Sequence, residues 1–258
     1  MSSVKPVVVI AGLGLGGGTG GASARAFAKE GYSVALIARN ADALKAFENE
    51  LKSSGIDAAS FPIPSYSAQS IQTAFTDLRS HFPHTTHTIR AGIYNAGSGV
   101  SGFKPFLDAT PDDVKASNQA SIEGAFAFSR EVILEFKSNE VDEGTGKRGV
   151  LIHTGATASV RGNVMTSLFA SGKHALRALS QSLAKEFGRE NIHVAHAIID
   201  GNILTTQQKD RRKDPEWEKN EAVRLDPDSI AAAYVYLAKQ DQSSWTWELD
   251  LRPAHEKW

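Results

Sequence analysis

Val7-Val-Val-Ile-Ala11 runs straight into Gly12-Leu-Gly-Leu-Gly-Gly-Gly-Thr-Gly-Gly21, and a helical stretch then leads to a second apolar run, Ser33-Val-Ala-Leu-Ile-Ala-Arg-Asn40. An unbroken apolar run closed by glycine reads as a strand buried on both faces. Glycines without a Cβ let the chain turn tightly, so that backbone N–H groups at a helix N-terminus can approach a pyrophosphate. Taken alone, the loop is also compatible with a plain turn. Its place between a first strand and a helix spanning Gly21 to Glu30 is what a dinucleotide site requires. A carboxylate at the end of the second strand would hold the ribose 2′-hydroxyl of NAD, but that strand ends Ala38-Arg39-Asn40. Arg39 offers a guanidinium fork to a 2′-phosphate, so the sequence favours NADP(H), with an exposed arginine at a helix start as the plain alternative.

Outward from this stretch the same alternation continues. Further strands are expected at Ala58 to Ile63, Thr88 to Tyr94, Gly149 to Thr154, His193 to Ile198 and Thr246 to Leu251. Helices are expected at Ala41 to Ser53, Ser70 to Ser80, Ser121 to Phe136, Thr166 to Phe187 and Pro227 to Ala238. The pattern predicts an α/β fold: a single doubly wound Rossmann domain over residues 1–258, with a seven-stranded parallel sheet and helices on both faces. Ser138 to Arg148 reads as a surface loop. The charged segment Thr205 to Arg224 reads either as a mobile lid over a pocket or as a solvated helix with charge pairs.

Composition narrows the function. The 258 residues carry a net charge of −1, 41% hydrophobic and 22% charged residues, and no cysteine. A near-neutral chain generates no field to attract nucleic acid or an anionic membrane, which leaves small molecules as partners. Disulfides, thiolate nucleophiles and cysteine-bound metals are excluded. The start of the chain lacks an apolar run long enough for a signal peptide or a membrane span, so a cytoplasmic protein is expected. No His, Asp and Glu spacing suggests a metal site, and His153 reads as a core histidine.

Several ordered motifs together resemble the short-chain dehydrogenase/reductase family over essentially the whole chain. They are Gly14, Gly18 and Gly20 around Thr19; Asn95-Ala96-Gly97 after the fourth strand; Thr110-Pro-Asp-Asp113 through Gly124-Ala-Phe126; Phe169-Ala-Ser-Gly-Lys173; and Asp200-Gly-Asn-Ile203-Leu-Thr205. The extra glycines leave the loop's register open by about two residues. The resemblance implies cofactor contacts from Gly14, Gly18, Thr19, Gly20, Arg39, Asn40, Asn95, Ala96, Gly97, Lys173, Ile203 and Thr205. It also implies that the helices Ser121 to Phe136 and Thr166 to Phe187 pair subunits into a homodimer or homotetramer, with Trp245, Trp247 and Trp258 near subunit contacts.

At the catalytic end the sequence departs from that pattern. The family's proton-transferring tyrosine, four residues before the lysine and so on the same helix face, is Phe169 here, and its serine is Ala156. The asparagine of the preceding helix falls on Ser121, with Asn118 one turn earlier as a substitute. No Tyr-x-x-x-Lys occurs anywhere in the chain. Lys173 and Ser121 are therefore the catalytic candidates, Ala156, Phe169 and Asp200 the substrate contacts, and Asp200, Thr157, Ser159 and Ser171 the possible proton sources. Losing an oxyanion donor costs about 10² to 10³ in rate, and losing a general acid about 10² to 10⁴. The expected activity is NADP(H)-dependent hydride transfer to a carbonyl, an imine or iminium, or a conjugated acceptor. A binding protein acting as sensor or scaffold, and a non-redox catalyst with structural NADP, are the alternatives.

Overall fold

The computed structural model describes residues 4–97 and 102–257. The elements in chain order are β1 (Lys5–Ala11), α1 (Thr19–Lys29), β2 (Ser33–Ala38), α2 (Ala41–Ser53), β3 (Ala58–Pro62), α3 (Ala68–His81), β4 (His87–Tyr94), α4 (Pro111–Asn118), α5 (Gly124–Ser138), β5 (Gly149–Thr154), α6 (Ser167–Phe187), β6 (Ile192–Ile199), α7 (Thr206–Arg212), α8 (Pro215–Lys219), α9 (Pro227–Lys239) and β7 (Glu248–Leu251). All seven strands are parallel, in the order β3-β2-β1-β4-β5-β6-β7, which is the doubly wound sheet expected.

The strand period sorts the core into two layers. Val7, Val9 and Ala11 join Ala35 and Ile37 on the face covered by α3, α5 and α6, where Phe75, Phe128 and Phe136 pack. Val8 and Ile10 join Val34 and Leu36 on the other face, against Phe27 of α1, Leu44 of α2 and Tyr234 of α9. Val7–Ala11 of β1 and Val34–Ala38 of β2 are buried on both faces and read as apolar throughout. His153 of β5 is fully buried, with one ring nitrogen 2.9 Å from the Ser129 hydroxyl of α5 and the other 2.6 Å from that of Ser180 in α6. Burial pushes its pKa down to about 3, so it is a neutral core histidine.

Three expectations need correction. The helix placed at Ser121 to Phe136 is the end of a longer rod in which α4 passes through a π-turn at Gln119–Glu123 into α5; the buried Tyr94 hydroxyl donates to the Ala120 carbonyl in that turn at 2.6 Å. The last strand begins at Glu248 rather than Thr246. Side chains have taken the backbone of Thr246: the Gln240 amide oxygen accepts from its N–H, and its carbonyl pairs with the His193 ring. The charged segment Thr205 to Arg224 is not one helix: it breaks into α7, α8 and a 3₁₀ turn, with Lys213 left-handed between the helices.

Candidate functional site

Strand order reverses between β1 and β4, and the crevice beyond their carboxyl ends is where an open α/β sheet holds a ligand. A cavity of about 860 Å³ occupies that place. Its walls include the loop after β1, Arg39, the loops after β4 and β5, Phe169 and Lys173 of α6, the loop after β6 with the first turn of α7, and the C-terminal residues Glu256 and Lys257.

The glycine loop is shaped by what its residues lack. Gly12 has φ +99°, and a Cβ there would lie 2.6 Å from the Ala96 amide nitrogen; at Gly20 a Cβ would collide with the Gly12 carbonyl oxygen. Gly14, left-handed at φ +64°, faces open space. The close packing between strand and helix thus falls on Gly12 and Gly20, which fixes the register that the extra glycines had left open. Asn95 locks the arrangement, since its side-chain amide donates to the Gly12 carbonyl at 2.8 Å. Gly18 caps α1 without a side-chain hydrogen bond, and the buried Thr19 hydroxyl beside it has no partner among the described residues. A cradle that a Cβ would fill, an uncapped helix start and an orphaned hydroxyl fit a pyrophosphate.

At the end of β2, Arg39 lies over the Tyr66 ring, 5.4 Å from its centroid, and has no ion pair among the described residues. Burial raises the Tyr66 pKa to about 12, so its hydroxyl stays neutral. Asn40 lies outside the cavity wall; its side chain caps α2 by accepting from the Ala43 amide at 3.0 Å.

The far end is built around Lys173. It is 7% exposed, and its ammonium donates to the Thr154 carbonyl at 2.6 Å and sits 5.8 Å from the Phe169 ring centroid. Burial alone lowers its pKa to about 8. Phe169 packs on Phe103, with ring centroids 5.0 Å apart, and both line the cavity with Ala156. Ser121 is not in the wall: it is buried against Gly172, where a side chain would clash with it. Asn118 is exposed on α4, so it does not substitute. Ser159 is buried, accepting from the Ala156 amide, and Ser171 bonds within its own helix to the Leu168 carbonyl, which leaves Thr157 as the hydroxyl of that group that reaches the cavity. Thr157 is hydrogen-bonded to the carboxylate of Asp200, which in turn pairs with Arg252. Asp200 therefore holds a framework together. Ile203, in a bridge with Leu225, and Thr205, the cap of α7, complete this wall.

A family model described as short chain dehydrogenase matches residues 6–216. The chain belongs to the short-chain dehydrogenase family. Among solved members, the short-chain dehydrogenase from Rhodopseudomonas palustris is 28% identical, with a TM-score of 0.76 over 96% of this chain and 98% of that one. The fold is shared with a short-chain dehydrogenase from Burkholderia cenocepacia J2315 in complex with NADP, at 20% identity, TM-score 0.80 and 98% of both chains. An uncharacterised oxidoreductase of Bacillus subtilis, YxnA, is 26% identical over 236 residues, 90% of this chain but 62% of that protein.

Within this short-chain dehydrogenase, sequence reasoning missed Gly12, Tyr66, Phe103, Arg252 and Glu256. Tyr66 follows β3 at the carboxyl edge of the sheet, and that rule of position would have found it. Phe103, Arg252 and Glu256 lie in irregular segments that carry no periodic signal. Among the described residues no helix is long and apolar enough to cross a membrane.

Proposed function

We propose that the chain is an NADP(H)-dependent oxidoreductase that passes hydride to a small organic carbonyl, imine or conjugated acceptor. The observation that carries this reading is the conjunction, in one cavity, of the glycine cradle, the carboxylate-free end of β2 with Arg39 over Tyr66, and the buried Lys173. When bound, the cofactor supplies the hydride. Gly12, Gly18, Thr19, Gly20 and Asn95 hold the pyrophosphate segment, Arg39 takes the 2′-phosphate, and Lys173, Ile203 and Thr205 hold the nicotinamide end. A charge-assisted contact is worth about 1.5–3 kcal/mol, so NADPH should bind tens of times more tightly than NADH in a fluorescence titration, and Arg39→Asp should reverse that preference. Equal binding of the two cofactors would remove the basis for NADP.

The same proposal includes a cytoplasmic homodimer or homotetramer. The absence of cysteine supports the first, and the exposed Phe126 and Leu134 on α5 support the second; light scattering on a sizing column tests the latter. A second reading, an NADP-binding protein that no longer moves hydride, is favoured by Phe169 and Ala156 standing in the cavity wall itself. Consumption of NADPH with any acceptor, lost in Lys173→Ala, would defeat it.

A further inference from the structure

At the two positions where the resemblance expects hydroxyls beside the lysine, the substrate end has none. Phe169 and Ala156 present no O–H, and the Lys173 ammonium donates into the Thr154 carbonyl. The Thr157 hydroxyl can place its hydrogen on the Asp200 carboxylate, which leaves its oxygen lone pairs toward the cavity. Opposite stands the tail of the chain. Pro253 packs on Gly201, whose φ of +147° and missing side chain make room for it: a Cβ there would lie 2.8 Å from the proline ring and 3.4 Å from Glu256 Oε2. The Asp200–Arg252 pair anchors this tail, and Glu256, a carboxylate close enough to Arg252 to feel its charge, lines the same cavity as Phe103 and Phe169.

From this arrangement we infer that the hydride acceptor is an iminium cation, held by the aromatic face and by the Glu256 carboxylate. The inference rests on the oxidoreductase reading and narrows it. Chemistry and wall agree. The iminium carbon takes the hydride with its electron pair, the C=N π pair becomes the nitrogen lone pair, NADPH leaves as NADP⁺, and no proton changes hands. A ketone treated likewise becomes an alkoxide that must be protonated, and Phe169 and Ala156 carry no hydroxyl to do it. Aromatic faces and carboxylates both attract cations. Arg161 and Lys257 also line the cavity, but as exposed side chains whose charge is screened by solvent, and the charge of Arg252 beside Glu256 is met by Asp200 and Asp250. The buried Lys173, whose pKa burial pushes down to about 8, can meet a second cation by shedding its proton.

The test uses 2-methyl-3,4-dihydroisoquinolinium, a permanent cation, beside the neutral 1-tetralone of similar shape and 1,4-naphthoquinone. NADPH consumption is expected to favour the iminium over tetralone by about 10² or more in kcat/KM, the size of a missing general acid. Calorimetric titration of the iminium into the full chain saturated with NADP⁺, where no turnover occurs, is expected to give binding that weakens about tenfold in Glu256→Gln, as for loss of a charged contact. Tetralone or quinone consumed as fast as the iminium, or unchanged iminium binding in the Gln variant, overturns the substrate class while leaving the oxidoreductase in place. NADPH bound with no acceptor consumed overturns both.

Discussion

The two ends of the cavity are built from different materials. The cofactor end is made of backbone: glycines whose missing side chains bring one loop against the next, an uncapped helix start, and one asparagine pinning the turn. The substrate end is made of side chains from segments far apart in the sequence, with Thr157, Asp200 and Arg252 tied in a row and Phe103 laid on Phe169. Backbone architecture constrains which residues can occupy it, whereas a side-chain wall can be rewritten one residue at a time. That asymmetry allows a chain with this glycine cradle to carry Phe169 and Ala156 beside its lysine, where the resemblance expects hydroxyls.

The comparison can be broken most directly by rebuilding the lost wall. Phe169→Tyr on the α6 face of Lys173, with Ala156→Ser in the loop after β5, puts back both hydroxyls, and NADPH-dependent ketone reduction should rise by about 10² to 10⁴. No rise would mean that the two ends are not aligned as in the family. Next in size, Asp200→Ala removes the carboxylate that joins Thr157 to Arg252, which keeps its pair with Asp250, and should cost about 1–3 kcal/mol in denaturant unfolding, with NADPH affinity held within a few-fold; equal damage at both ends would erase the distinction between them.

Lys173 sharpens it through pH. In the folded chain the buried ammonium gives up its proton near pH 8, whereas in the unfolded chain it keeps it to about 10.5. Unfolding therefore takes up a proton between those values, and stability rises with pH across that interval, by roughly 3 kcal/mol. Lys173→Met lacks the titrating group, so chemical denaturation at pH 7.5 and 10.5 should show the rise in the wild type and not in the variant. The smallest effect belongs to Arg39→Ala at the exposed edge: NADPH should bind about tenfold more weakly, less so at high salt.

The same division governs what the sequence discloses. Strand alternation and the glycine loop announce the sheet because a strand buried on both faces has to be apolar and a close approach has to be glycine; Val7–Ala11 with Gly12 and Gly20 are such cases. Element ends are set by tertiary partners, which is why Gln240 and His193 delay β7 and why the Tyr94 hydroxyl sits in a π-turn that periodicity reads as plain helix. The resemblance puts Ser121 at the site in the place of an asparagine, yet the bare Gly172 lets α6 close over it. Spacing along a helix fixes a face only while the helix keeps its period, and five residues of π-turn reset it.

His153 has a use beyond the core. A ring gripped from both sides by hydroxyls on two different helices carries one N–H sealed from water, and that hydrogen will exchange only when α5 and α6 part. Its resonance, far downfield of the amides, makes a built-in gauge of how often those helices breathe, readable in a one-dimensional proton spectrum without any label.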